Sequence, residues 1–170
     1  MLNLDNHILG VTDEKIAIAS SEDHRSAAQA LAQQAQRHIA IISRELDPPA
    51  YDTPEFVEAV KQLVLSNRYT HLRAMVFDPL TIVKHGHRLH KLMLNLTSFI
   101  EFRVPGPEFS AFDESLLVAD DTGYILRTSA ERYEGFINFN DRRSARILMK
   151  QFEEMWARAK PDPNLKRLHL

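Results

Sequence analysis

The segment His38–Ser43 sets Ile39, Ile41 and Ile42 around a single alanine. β-Branched side chains in such density crowd a helix and suit a buried strand. A second apolar run over 71–77 carries Leu72, Ala74, Met75, Val76 and Phe77, and a helical stretch separates the two. Strands that alternate with helices must share a sheet and bury the helices against it. The pattern therefore predicts an α/β fold, with a mixed sheet and helices on both faces.

The rest of the chain fits that frame. A first strand is expected over 15–20, then a helix that starts at Ser21-Glu22-Asp23 and carries Ala27, Leu31 and Ala35 at helical spacing. Asp47-Pro48-Pro49 breaks the second strand, and Thr53-Pro54 opens the next helix as N-cap and first helical residue. A single long helix is expected over 80–96, followed by a strand over 99–104 and a loop at Pro105-Gly106-Pro107. Alternation then predicts a hairpin: Ser115–Ala119, a turn at Asp120-Asp121-Thr122-Gly123, and a return strand over 124–127. Gly135–Asn138 adds a short strand. The closing helix, over 141–159, sets Ala145, Leu148, Phe152, Met155 and Trp156 on one face. Residues 160–170 read as a loose tail. With 170 residues and no internal linker, the chain (1–170) reads as one domain.

Composition excludes several classes of function. A formal net charge of −2 gives no overall attraction to nucleic acid or to an anionic membrane, so nucleic-acid binding is not expected. There is no cysteine, which removes disulfides, thiol nucleophiles and thiolate metal sites. The N-terminus lacks a basic segment followed by an apolar core, and no apolar run approaches the roughly 20 residues of a membrane span. A cytoplasmic protein without cofactor or metal is the expectation.

The element order over 14–158 resembles one half of a phospholipase D-like domain. The resemblance is carried by the Asp47-Pro48 step after the second strand, by the apolar run Ser115-Leu116-Leu117-Val118-Ala119-Asp120, and by the Phe152-Glu153-Glu154-Met155-Trp156 ending. The whole chain is also similar to a small uncharacterised bacterial domain found alone or beside acetyltransferase domains. The phospholipase D-like resemblance implies a histidine nucleophile, a lysine two residues on and an aspartate five residues later. With Asp120 in the last place, positions 113 and 115 should be His and Lys, but they are Asp113 and Ser115. The GSxN that should follow meets Arg127, Thr128, Ser129 and Ala130 instead. Covalent phosphoryl transfer needs the imidazole, so no catalytic residue is assigned. The resemblance also implies pairing of halves, here as a homodimer, with Phe136, Phe139 and Trp156 as candidate apolar contacts.

Two sets of residues remain as anion-binding candidates. One is the stretch 84–91, where His87, Arg88 and Lys91 stand out; its plainest reading is a solvated basic helix face with one histidine packed against the sheet. A metal site there lacks carboxylates, since none occurs between Asp78 and Glu101. The other set is Arg44, Arg103 and Arg127, each at or just beyond the end of a strand, where α/β sheets place their ligands. The three either converge on one anion or pair separately with nearby carboxylates such as Glu45, Glu101 and Asp120. The expected function is a non-catalytic module that binds a small anionic ligand or a protein partner, or regulates one. The alternative is a cryptic enzyme or a nucleotide- or anion-binding protein working through 84–91.

Overall fold

The computed structural model describes residues 2–167. In chain order the elements are β1 (Ile16–Ile18), α1 (Ser21–Gln34), β2 (His38–Ser43), α2 (Pro48–Tyr51), α3 (Pro54–Ser66), β3 (His71–Val76), α4 (Pro79–His85), α5 (Arg88–Asn95), β4 (Ile100–Arg103), β5 (Ser115–Ala119), β6 (Gly123–Arg127), β7 (Gly135–Asn138) and α6 (Arg142–Trp156). The seven strands form one sheet in the order β1-β7-β6-β5-β2-β3-β4. The two apolar runs lie side by side at its centre, parallel, with Ile39 opposite Leu72 and Ile41 opposite Ala74. β4 extends the parallel part, and the β5–β6 hairpin joins the other side of β2 antiparallel. The mixed sheet follows from the connections: helical crossovers force parallel neighbours, and the tight turn forces an antiparallel one.

Alternation along each strand divides the interior in two. Ile39, Ile41, Leu72, Ala74, Leu117, Ile125 and Ile137 pack beneath α1 to α5. Ala40, Ile42, Met75, Leu116, Val118 and Tyr124 face α6, which alone covers the other side. Both faces carry helices, as expected, but five lie on one face and one on the other.

The structure corrects several boundaries. The helix expected over 80–96 is two: α4 ends at Gly86, whose φ of +75° suits only glycine, and His87 caps α5. The break at Asp47-Pro48-Pro49 contains a helical turn, α2, entered through left-handed Leu46 (φ 59°) and Asp47 (φ 22°). The loop at Pro105-Gly106-Pro107 leads into a 3₁₀ turn, Pro107–Phe109. The tail is not loose over 160–166. Lys160 pairs with Val104 beside β4, and Leu165 is buried under the first layer of helices. Residues 168–170 of that tail lie outside the described residues.

Asp120 ties the hairpin to the rest of the sheet. Its carboxylate accepts the backbone N–H groups of Gln36 (2.8 Å), Arg37 (2.8 Å) and His38 (3.1 Å), where α1 passes into β2. Its own carbonyl receives the Arg37 guanidinium and the Thr122 hydroxyl. Asp120 and Asp121 both adopt φ of 55°, a conformation that aspartate tolerates better than most residues. Replacing Asp120 with alanine orphans three amides at once. We expect Asp120→Ala to cost about 3 kcal/mol, read as a lower urea midpoint at unchanged slope.

Candidate functional site

Three polar side chains stand at the same end of three neighbouring strands. Ser43 closes β2, Ser115 opens β5, and Arg127 closes β6 directly opposite Ser115. The Ser43 and Ser115 hydroxyls both donate to Asp47 Oδ2, at 2.7 and 3.3 Å. Arg127 Nη1 donates to Asp47 Oδ1 at 3.0 Å and to His24 Nδ1 at 3.3 Å. Its other nitrogens are also engaged: Nε binds the Arg132 carbonyl at 2.8 Å, and Nη2 the Ala130 carbonyl at 2.6 Å. The Tyr133 ring lies against the guanidinium plane, 4.6 Å away. The residue is 1% exposed.

The bonds assign a tautomer to His24. Its Nδ1 accepts from Arg127, so Nε2 carries the proton and donates to the Tyr51 hydroxyl at 3.3 Å. Burial, aided by the Arg127 cation and opposed by Asp47, lowers the His24 pKa to about 4. Burial and the nearby Asp47 push Tyr51 far above its ordinary value of 10, and Tyr133 moves up for the same reasons. Arg127 and Asp47 thus neutralise each other inside a shell of uncharged partners.

Strand alternation keeps the three candidate arginines apart. Arg127 points to the α1 side, whereas Arg44 and Arg103 point to the α6 side. Arg44 lies 3.7 Å from Asp113, donates to the Phe112 carbonyl and covers the Phe77 ring. Arg103 pairs with Glu101 at 2.6 Å and sits 4.2 Å from the Trp156 ring centre. The three share no cleft. Each has its own carboxylate, though only the Glu101 partner is one of those expected.

The 84–91 stretch is likewise used internally in part. Lys84, His85, Arg88 and Lys91 are exposed. His87 is buried; its Nε2 donates to the Leu46 carbonyl at 2.9 Å and its Nδ1 accepts the Leu89 N–H at 3.1 Å. Burial lowers its pKa. His90, also buried, donates to the Leu165 carbonyl at 2.7 Å. Arg88 is held by Asp52 at 3.2 Å, while Lys91 is exposed. No group of three or more metal-binding side chains occurs among the described residues.

The residues at the heart of the centre besides Arg127 were not candidates from the sequence. Asp47 stood out as a strand breaker and as part of the family resemblance, not as a site residue, and His24 only as a residue of the first helix. A signal was present: Ser43, Ser115 and Arg127 are polar ends of apolar strands. It gains meaning only when the strand order makes them neighbours.

Comparison with known proteins gives a family and a fold. A family described as a domain of unknown function, DUF7931, matches residues 20–168. No curated protein matches the chain in sequence. Among solved structures it is similar to TrmBL2, an archaeal chromatin protein described as showing a novel mode of DNA binding (TM-score 0.63, 15% identity, 89% of this chain and 55% of that one). NucT from Helicobacter pylori gives a TM-score of 0.60 at 9% identity, over 88% of this chain and 99% of that one. Nuc from Salmonella typhimurium, a phospholipase D family member, gives 0.57 at 11% identity, over 86% and 97%. The chain spans about half the length of TrmBL2 and nearly all of the other two. The α/β fold with a mixed sheet is therefore phospholipase D-like.

The His24 shift has a consequence for stability. A histidine whose folded pKa is depressed keeps its stabilising contribution above its ordinary value of 6.5 and loses it as pH falls toward about 4. The loss across that window is on the order of 3 kcal/mol, with His71 and His87 shifted in the same direction. Urea midpoints measured from pH 7 to 4 should fall steeply. His24→Gln, which can accept from Arg127 and donate to Tyr51 without titrating, should flatten much of that slope.

Proposed function

We propose that this chain, which belongs to the DUF7931 family and has a phospholipase D-like fold, works as a non-catalytic module that binds or regulates a partner. The observation that carries this is the buried Arg127–Asp47 pair and its partners. In the alignment that puts Asp120 in the family's aspartate position, the lysine position is Ser115, whose hydroxyl is spent on Asp47. The histidine position is Asp113, a carboxylate facing Arg44. An anion approaching from solvent meets no nucleophile there and would have to displace a satisfied ion pair, which costs several kcal/mol.

The alternative of a nucleotide or anion site on 84–91 draws on Lys84 and Lys91, because His87 and His90 hold backbone carbonyls and Arg88 holds Asp52. The cysteine-free chain fits work in the cytoplasm, and no helix among the described residues is long and apolar enough to cross a membrane. A generic phosphodiester, bis(p-nitrophenyl) phosphate, provides the test. No turnover above background is expected, with or without added divalent metal. Turnover that one substitution in this chain abolishes would overturn the reading.

Self-association is part of the same proposal. Phe139 and Trp156 are buried in the two cores, which leaves Phe136, 39% exposed on β7 beside the three-residue edge strand β1, as the aromatic group open to a second copy. Light scattering at micromolar concentration should give twice the 19.6 kDa chain mass. A single-chain mass that persists on concentrating would rule out the homodimer.

A further inference from the structure

The outer face of α6 carries an unbalanced row of charge. Arg142, Arg143, Arg146 and Lys150 are all exposed, and none forms an ion pair among the described residues. Arg142, Arg146 and Lys150 follow one another at intervals of one turn, about 6 Å of rise each, a spacing at which like charges oppose helix formation. The first turn itself contains no acid; the nearby acid is the N-cap Asp141, whose carboxyl is held below its ordinary value by Ser144 hydrogen bonds and also by Arg143, and the remaining cations oppose the helix dipole. Within the row sits Ile147, 62% exposed, although its neighbours Leu148 and Met149 are buried. Arg143 precedes it by one turn and Lys150 follows by nearly one.

Within the chain the row is bordered by Asp141 and, one turn beyond Lys150, by Glu154, but neither forms an ion pair with it, and an external acidic partner would. We propose that this face docks an acidic protein segment, with carboxylates at one-turn intervals facing Arg142, Arg146 and Lys150 and an apolar side chain against Ile147. The four unpaired cations supply the charge complementarity. Ile147 decides the class of partner, because an apolar centre with a charged rim is the arrangement of a protein interface. A phosphate backbone would neutralise the cations and leave Ile147 without a counterpart. The inference rests on the partner-binding reading above, but its test involves no phosphodiester chemistry, so either can fail alone.

Fluorescence anisotropy with the full chain tests it. The probe is a labelled synthetic helical peptide with glutamate at every fourth position and a leucine beside the central one; a DNA duplex of equal charge is the comparison. The peptide should bind at low salt and weaken as salt rises. Arg146→Glu with Lys150→Glu should weaken it by about tenfold or more, and a peptide with lysines in place of the glutamates should then recover binding. Ile147→Ser should weaken the peptide several-fold. All three positions point to solvent, so the variants should fold. Absence of peptide binding overturns the proposal. So does a duplex that binds at least as tightly and is indifferent to Ile147→Ser, which would give the face to nucleic acid.

Discussion

The guanidinium of Arg127 is a full charge held away from water, in a position that costs several kcal/mol unless every donor is answered. The answers come from three separate parts of the chain. Asp47 enters from the loop after β2, His24 from the first turn of α1, and the Ala130 and Arg132 carbonyls from the segment that joins β6 to β7. Bringing Asp47 into place requires left-handed backbone at Leu46 and Asp47, each a cost of about 1 kcal/mol or more. The ion pair and the two serine hydroxyls offset that cost. His24 must then stay neutral, because a second cation beside Arg127 would face one carboxylate shared between two charges.

The opposite face of the sheet solves a different problem, since one helix has to cover the space that five cover elsewhere. Arginines finish the work. Arg73 lies over Phe152 and Trp156, and Arg103 over Trp156. Arg44 lies across Phe77, which stacks on Phe112. A guanidinium plane can shield an aromatic ring while its edge stays hydrated or paired. Arg73 is paired with Glu153 of α6 itself, so the roof and the helix are joined. These arginines serve packing as much as charge.

Asp120 keeps a structural task at the hairpin turn, bracketing three backbone amides. Where the family resemblance implies reactive groups, Ser115 is bound to Asp47 and Asp113 faces Arg44. Four exposed cations lie on the outer face of α6. A net charge of −2 averages over that row and conceals it.

Much of the architecture was legible in the residues. Ile39, Ile41 and Ile42 identified a buried central strand, Thr53-Pro54 a helix start, and Asp120 to Gly123 a hairpin turn, because each depends on local sterics and hydrogen bonding within a few residues. The phospholipase D-like layout followed from their order. Local reasoning missed where a neighbour in space mattered. The helix expected over 80–96 divides at Gly86, and the His87 that caps the second part is bound to the Leu46 carbonyl, 41 positions earlier; the tail is held because Leu165 receives His90. Arg44, Arg103 and Arg127 looked alike in sequence. Strand alternation within one particular strand order sent Arg127 to one face and the other two to the opposite one. Which residues could be strands and helices was decided within each segment; which charges meet was decided only by the folded sheet, since a buried ion pair joins groups that sequence separation does not relate.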